Sequence, residues 1–242
     1  MGIGDDVITL ARARQQYLKT GRTQCPVDRR GNRRDHREIY RQSPYISPDG
    51  ERLEEYPDDK RPYERETYYQ PPRAEFHLTE AQESWGQLQA LRPYVILNPD
   101  AKPNAHYSNN KHWHQPYWQE LIQLLKEQYP QYRLVRANPG RYATEYDLEN
   151  IATPEIYNLI ALIKYASWVI TTEGAPHHIA GGTQTPCTVI YGHCTTPRTT
   201  GYHGQQALYS ESGPCNSRNH CDICRAEMLK ITPQRVLETI KL

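Results

Sequence analysis

The sequence predicts an α/β fold with a parallel sheet in residues 94–242, preceded by a reduced, irregular region in residues 1–93. Three observations predict it. Short apolar runs such as Tyr94–Asn98 suit buried strands. These runs alternate with segments whose apolar residues recur at helical spacing, which is typical of βαβ units on a parallel sheet. Residues 21–75, in contrast, contain almost no apolar runs.

The first region predicts one helix and a long irregular arm. In residues 1–20, apolar side chains fall near one helical stripe with arginines on the other face. Residues 21–75 are rich in Arg, Pro, Tyr and acids, and Pro71-Pro72 indicates a turn. Such a composition suits a disordered arm. The many amphipathic tyrosines favour an ordered but irregular arm laid over another surface.

From residue 76 onward, the sequence predicts a regular alternation of helices and strands. Thr79 is a suitable cap for a helix that reaches about Leu91. Thr232 and Pro233 suit the cap and first residue of the last helix. The other predicted elements are strands over 94–98, 132–136, 168–170 and 188–191, and helices over 115–129, over 154–166 and from about residue 176.

Composition excludes some classes of protein. The 242 residues carry a net charge of +1, a mean hydropathy of −0.88 and 37% hydrophobic residues. An integral membrane protein is excluded, because no apolar run approaches the roughly 18 residues of a membrane span. The N-terminus shows neither a secretory signal nor a myristoylation motif, because Asp6 stands where a hydroxyl residue is needed. These features predict a cytoplasmic protein, in a bacterial cell or a phage-infected host.

Charge is segregated along the chain. Residues 12–41 hold nine Arg and one Lys against three acids, a net charge of +7, whereas residues 49–66 carry −4. Arginine is suited to fork-like recognition of phosphate. The whole chain has 19 Tyr, and Tyr17 and Tyr40 lie within the basic segment. Arginines interleaved with tyrosines suit a phosphate backbone and unstacked bases.

A glycine-containing turn follows the strand at 168–171 and opens a helix. Such a turn predicts an anion site, because unpaired N–H groups and the helix dipole point outward. Glu173, at the carboxyl end of the strand, could accept hydrogen bonds from sugar hydroxyls. A plain βα turn is the alternative. The candidate site residues are Glu173, Gly174, Ala175, Pro176, His177 and His178. Lys111, in the loop after the first strand of the sheet, could reach the same crevice.

Two acidic residues follow a glycine-rich start. In Gly2-Ile3-Gly4-Asp5-Asp6, Asp5 or Asp6 could be a general base for a hydroxyl nucleophile. Helix capping by a carboxylate explains the same residues equally well.

The cysteines leave two interpretations open. Cys187 is expected in the core. Cys194, Cys215, Cys221 and Cys224 could bind zinc as a tetrahedral set. The alternative, which we favour at this point, is reduced cysteines that only pack.

Taken together, these motifs resemble glycosyltransferase family 9, the heptosyltransferase-like enzymes. Lys111-His112-Trp113 is similar to the family's Lys-x-Trp, and residues 173–180 are similar to its Asp-Ser/Thr-Gly-Pro-x-His-Leu-Ala. Residues 185–192 fit its Thr-Pro-x5-Gly strand, and the cysteine-rich stretch and Ile-Thr-Pro helix match its C-terminal part. Gly4-Asp5 resembles its N-terminal Gly-Asp turn.

The resemblance implies a GT-B-like enzyme, with a Rossmann-like donor domain over 94–242 and a reduced acceptor-binding region over 1–93. It implies an inverting transfer from a nucleotide-diphosphate sugar, without a catalytic metal. Asp5, or Asp6 in its place, would be the base. Lys111 and the helix at Pro176 would stabilise the leaving diphosphate. Trp113 and Glu173–His178 would complete the donor site, with Glu173 replacing the family's Asp.

Two departures concern the acceptor. The strand that normally precedes the Gly-Asp turn is expected to be missing, and residues 21–75 lack strand–helix alternation. We therefore expect a remodelled acceptor site. Its candidate residues are Arg29, Arg30, Arg33, Arg34 and Arg37.

We hypothesise that the acceptor is a hydroxymethylated base in phage-type DNA, flipped into the cleft. The alternatives are a cell-envelope saccharide acceptor, a nucleotide-sugar sensor without activity, and a non-catalytic nucleic-acid-binding protein with a zinc-stabilised cysteine cluster. The oligomeric state is not predicted.

Overall fold

The computed structural model describes most of the chain, namely residues 2–28, 30–54, 71–99, 108–138, 146–193, 195–213, 215 and 221–242. Helix α1 (Ile3–Thr20) opens the fold, as predicted. The Asp5 carboxylate accepts a hydrogen bond from the Gly2 N–H and so caps the first turn. Gly21, with φ of 70°, ends the helix in the left-handed conformation.

The arm after α1 contains a small sheet that the sequence did not predict. Strands β1 (Gln24–Val27) and β2 (Glu51–Glu54) pair in parallel, with a 3-10 turn at Glu38–Tyr40 between them. Pro26 lies inside β1, and β2 holds a single apolar residue, so neither strand has the apolar pattern that predicts a strand. The described part of residues 21–75 is therefore ordered, as the tyrosine content favoured.

The remaining helices follow in chain order. Thr79 accepts from the backbone of Gln82 and caps the first of them, as predicted. Their bounds are α2 (Glu80–Ala90), α3 (Ser108–Lys111), α4 (Gln115–Gln128), α5 (Ile156–Lys164), α6 (Ala175–Thr183), α7 (Pro197–Thr200), α8 (Asp222–Leu229) and α9 (Pro233–Leu237).

A parallel sheet is the centre of the molecule. Its strands are β3 (Tyr94–Asn98), β4 (Arg133–Asn138), β5 (Glu149–Ala152), β6 (Trp168–Thr172), β7 (Cys187–Gly192) and β8 (Gln206–Tyr209). They lie in the order β5-β4-β3-β6-β7-β8, and each neighbouring pair is parallel. The order reverses between β3 and β6, where open α/β sheets form a ligand crevice at the carboxyl ends of the strands.

Two apolar clusters cover the two faces of the sheet. One contains Val7 and Leu10 of α1 together with buried residues of α5 and α6. The other contains Trp118 and Leu121 of α4 together with residues of α8 and α9. Because α1 lies in the same cluster as α5 and α6, the N-terminal helix packs directly on the sheet-forming part of the chain. The result is a three-layer α/β arrangement.

The predicted α/β class is confirmed, and so are the predicted strands at β3, β4, β6 and β7. The sequence analysis missed β5, β8, α7 and α8, and it placed Lys111 in a loop, whereas Lys111 is the last residue of the short helix α3. Strand β5 has a single buried residue, Ile151, and β8 is half-buried throughout, so neither shows a continuous apolar run. Cys187 is buried at the start of β7, as expected. In the described residues, no helix is long and apolar enough to cross a membrane.

Candidate functional site

The site lies at the reversal point of the sheet, where the ends of β3 and β6 meet. Glu173 directly follows β6, and α3 brings Lys111 from the connection after β3. The Lys111 ammonium hydrogen-bonds to Oε2 of Glu173 and forms an ion pair with it. The carboxylate is buried, and one-fifth of the lysine side chain is exposed. The structure thus brings together two residues 62 positions apart that the sequence assigned to one crevice.

A histidine fixes the start of α6. Nδ1 of His177 accepts from the Gly174 N–H at 2.9 Å, so the proton of the neutral ring lies on Nε2, which donates to the Thr200 carbonyl at 3.0 Å. The imidazole therefore caps the helix and joins it to the end of α7. Burial, the largest effect, lowers the pKa of His177 and favours this neutral form.

His178 lies beside the ion pair. Its Nδ1 is 3.0 Å from the Tyr202 hydroxyl, and its Nε2 is 3.9 Å from Oε1 of Glu173. Burial, aided by His177 and Lys111, holds the pKa of His178 well below its ordinary value. Potential ligand atoms of Glu173, His177 and His178 lie within 4.8 Å of one another. Both nitrogens of His177 are engaged in hydrogen bonds, so a metal ion would have to break one of them.

The N-terminal turn touches the start of α6. A Cβ on Gly4 would lie 2.9 Å from Cδ2 of His178 and 3.6 Å from the backbone nitrogen of Ala175. Only a residue without a side chain permits this approach. Asp5 and Asp6 therefore directly follow Gly4, the residue that contacts the proposed anion site.

The two aspartates have different surroundings. The Asp5 side chain is half-buried, and its Oδ2 accepts from the Gly2 N–H. Asp6 is buried, with Oδ1 accepting from the Tyr40 hydroxyl at 3.2 Å and Oδ2 lying 2.9 Å from the Arg37 guanidinium. Burial raises the pKa of Asp6 to about 6, against the opposing effects of Arg37 and Tyr40.

The pKa of the Glu173 carboxylate shifts in the opposite direction to that of Asp6. Burial acts to raise its pKa, but the charges of Lys111 and His177 and the hydrogen bond from Lys111 outweigh burial, and the net pKa is lowered. Glu173 is therefore ionised at neutral pH, in place to neutralise the lysine.

Trp113, predicted at the donor site, lies in the core. The ring is buried, packs edge-to-face on Trp118, and donates its N–H to the Ile231 carbonyl at 2.7 Å. The side chain joins the start of α4 to the segment between α8 and α9.

Four of the five arginines predicted to bind an acceptor are described, and they lie in the segment between β1 and β2. Arg33 forms a two-point ion pair with Asp35, and Arg37 faces Asp6. Arg30 is exposed and Arg34 is half-buried, whereas Arg29 lies outside the described residues. Two of these cations are thus paired within the chain, and one of them reaches the N-terminal turn.

A second cluster lies at the end of β7. Sγ of Cys224 is 2.7 Å from Sγ of Cys215 and 3.6 Å from Nδ1 of His193, and the candidate ligand atoms of these three residues lie within 4.8 Å of one another. The backbone N–H of Cys224, followed by the thiols of Cys224 and Cys215, lowers the pKa of Cys221. Cys194, the fourth residue of the predicted zinc set, lies outside the described residues.

Some site residues were not predicted from the sequence. Tyr202, Tyr40 and His193 reach the site from loops and a short turn, at sequence distances that no local motif spans. His193 could have been noticed, because it lies two residues after the predicted strand at 188–191 and directly precedes Cys194.

Comparison with known protein families identifies the family of this chain. The profile of glycosyltransferase family 9 (heptosyltransferase) matches residues 58–226. The search of curated proteins found no match.

Solved structures share the fold. The structure of E. coli ADP-heptose LPS heptosyltransferase II has 20% sequence identity and a TM-score of 0.51, and the match covers 68% of this chain and 51% of that one. The crystal structure of a family 9 glycosyl transferase from Veillonella parvula DSM 2008 has 13% identity and a TM-score of 0.52, over 69% and 52% of the two chains.

This chain spans about half the length of these solved structures. The likeness confirms the GT-B-like α/β fold, and the profile covers well over half of the sequence. The chain belongs to glycosyltransferase family 9.

Proposed function

We propose that the protein is an inverting glycosyltransferase that moves a sugar from a nucleotide-diphosphate donor to an acceptor hydroxyl, without a catalytic metal. One observation carries this proposal. The Gly4-Asp5-Asp6 turn touches the first turn of α6, beside the Lys111–Glu173 pair. This contact supports a site in which a carboxylate of the N-terminal turn would take the proton and Lys111 with the start of α6 would hold the diphosphate.

The donor would bind at the start of α6. The N–H groups of a helix start and the positive end of its dipole favour a phosphate. Lys111 adds an ammonium group whose charge is partly offset by Glu173. In the reaction, the acceptor oxygen attacks the anomeric carbon while the bond to the diphosphate breaks. Lys111 and the helix start would stabilise the charge that develops on the leaving group. Glu173 would hold Lys111 and accept from donor hydroxyls.

Asp5 fits the role of base better than Asp6. Both oxygens of Asp6 contact protein groups, Tyr40 and Arg37, and the side chain is buried. Asp5 is half-buried, and only its Oδ2 has a described contact, with Gly2. We therefore assign proton removal to Asp5 and positioning of the turn to Asp6.

A substitution of Asp5 tests this assignment. Asp5→Asn should lower kcat by about 10²–10⁴-fold while leaving the Kd for the donor within a few-fold of wild type, because general-base catalysis contributes that much. Asp49→Asn, at an exposed turn, is the control. Nucleoside diphosphate release gives kcat, and titration calorimetry gives Kd. An unchanged kcat in Asp5→Asn would refute the assignment.

The donor is the first substrate to identify. The solved E. coli relative is described as an ADP-heptose heptosyltransferase, so ADP-linked sugars are the first candidates. A nucleoside diphosphate that binds only the native state should raise Tm. The screen should include Lys111→Met, in which the shift should shrink. If none of the nucleoside diphosphates raises Tm, the proposal of a donor site at the start of α6 is refuted.

For the acceptor, we keep the hydroxymethylated DNA base as the proposal. The loop that holds Arg30, Arg33, Arg34 and Arg37 leads directly to Asp6 through Arg37, which supports an acceptor bound along this loop. The pairing of Arg33 and Arg37 leaves less charge for phosphates than the sequence suggested. Transfer to hydroxymethylated oligonucleotides, with binding that weakens steeply with salt, would support the proposal. Transfer only to saccharide acceptors would exclude it.

A further inference from the structure

The cluster at the end of β7 has the composition of a metal site. The candidate ligand atoms of His193, Cys215 and Cys224 lie within 4.8 Å of one another near the first turn of α8. Sγ of Cys221 accepts from the Cys224 N–H in the same turn, so a small movement would bring it in as a fourth ligand. Cys224 and His193 are buried. Thiolate and imidazole are the ligands that tetrahedral zinc and iron sites use.

The distances suit a tetrahedral ion. With ordinary metal–sulfur and metal–nitrogen bonds, sulfur and nitrogen ligands lie about 3.5 Å apart. Sγ of Cys224 and Nδ1 of His193 are 3.6 Å apart. Sγ of Cys215 and Sγ of Cys224 are 2.7 Å apart, so they would separate by about 1 Å around a metal. They are also farther apart than the roughly 2.05 Å of a disulfide.

The backbone holds the ligands in place. The Cys215 N–H donates to the His193 carbonyl, so the two residues stay together although 22 positions separate them. Cys221 and Cys224 form a Cys-x-x-Cys pair at the start of α8, where Sγ of Cys221 accepts from the Cys224 N–H at 3.5 Å. The helix dipole favours thiolates at that end.

We propose that His193, Cys215, Cys221 and Cys224 bind one tetrahedral transition-metal ion. We further propose that this ion stabilises the position of helix α3, which carries Lys111 of the proposed donor site. The mechanical link is Asn110, whose side-chain oxygen accepts from the Cys221 N–H at 3.0 Å. Asn110 is buried and precedes Lys111 in α3, which packs on α8. Fixing Cys221 therefore fixes the helix that presents Lys111 to Glu173.

Metal analysis tests the site directly. The full chain, purified without chelators, should contain about one equivalent of zinc or iron, and elemental analysis tells which. Cys221→Ser and His193→Ala should each lose most of it, with far-UV circular dichroism showing that the fold persists. Cys25→Ser, a buried thiol outside the cluster, and Cys194→Ser should keep the full equivalent.

Three results would overturn the site. The first is wild-type protein without metal that stays metal-free after incubation with Zn²⁺ or Fe²⁺ under reducing conditions. The second is metal retained by His193→Ala and lost by Cys194→Ser, which would make Cys194 the fourth ligand. The third is a disulfide: titration of the denatured, unreduced and chelated protein should find all six cysteines as thiols, and two fewer would indicate a Cys215–Cys224 bond.

The link to Lys111 has a separate test. Chelated protein that keeps its circular dichroism spectrum should bind ADP several-fold more weakly by calorimetry, and returning the metal should restore binding. Asn110→Ala should show the same weakening while it keeps the metal. Equal affinity with and without metal would refute the support of Lys111 and leave the metal site itself intact.

Discussion

Among the described residues, two buried carboxylates lie beside cations, Asp6 in helix α1 and Glu173 at the end of strand β6, and their pKa values shift in opposite directions. Glu173 forms a direct hydrogen bond with Lys111, and its pKa is lowered. Asp6 lies 2.9 Å from Arg37, yet burial dominates and raises its pKa to about 6, with Asp5 adding a like charge. The comparison shows that a nearby cation does not by itself decide the charge state of a buried acid.

The functional meaning differs accordingly. Glu173 remains ionised at neutral pH and keeps Lys111 in position at the start of α6. Asp6 changes its protonation near pH 6, one residue from the proposed base. Four substitutions or titrations test this contrast, from the largest expected effect to the smallest.

The largest effect is expected from Lys111→Met, which leaves the Glu173 carboxylate buried without its main partner. Removing one member of a buried pair typically costs about 3–5 kcal/mol. Urea unfolding at pH 7 measures the loss. The double variant with Glu173→Gln should recover most of it. A loss equal in the single and double variants would show that the lysine stabilises the fold independently of Glu173.

The next effect is a pH dependence from Asp6. Its folded pKa of about 6 lies above the ordinary 3.8, so its contribution to stability is fully present below about pH 4 and is lost as pH rises through 6. The expected loss is roughly 3 kcal/mol. The free energy of unfolding of wild type minus that of Asp6→Asn, followed from pH 4 to pH 7, isolates this group. A flat difference would contradict the raised pKa. Glu173, with its lowered pKa, contributes the opposite slope, which is lost as pH falls.

A smaller effect is expected from Gly4→Ala, at the contact between helices α1 and α6. Gly4→Ala places a Cβ 2.9 Å from the His178 ring, and relief of such overpacking costs about 1–3 kcal/mol. Because His178 lies beside Glu173, the donor affinity should fall as well. Ile3→Ala, on the exposed side of the same turn, is the control. If both variants have wild-type stability and donor affinity, the contact between α1 and α6 is not maintained in solution.

The smallest effect is expected from an exposed pair of the same chemistry. Arg33→Gln breaks the ion pair with Asp35, but the arginine side chain is 54% exposed, so the free energy of unfolding should hardly change. Arg37→Gln, which removes the cation facing buried Asp6, should cost more. If Arg33→Gln and Arg37→Gln lower the free energy of unfolding by the same amount, burial does not account for a difference between the two ion pairs.

The sequence predicts the sheet better than the region before it. Strands β3, β6 and β7 are short apolar runs, and Lys111 and Glu173 were assigned to one crevice because parallel strands end at one edge. Strands β1 and β2 were missed because Pro26 lies inside β1 and β2 holds a single apolar residue, so neither has the apolar pattern that predicts a strand. The partners of Asp6, Tyr40 and Arg37, are more than 30 residues away, and no local pattern indicates such contacts.

His177 has a further consequence for how the site can move. One ring nitrogen holds the first N–H of α6, and the other holds the last carbonyl of α7. The loop between β7 and β8 and the start of α6 therefore behave as one rigid body for any motion that preserves both hydrogen bonds. A hinge that opened the crevice would have to lie elsewhere. Because burial lowers the pKa of His177, acidification would loosen this joint only below the ordinary titration range of histidine, when protonation of Nδ1 removes the acceptor of the Gly174 N–H.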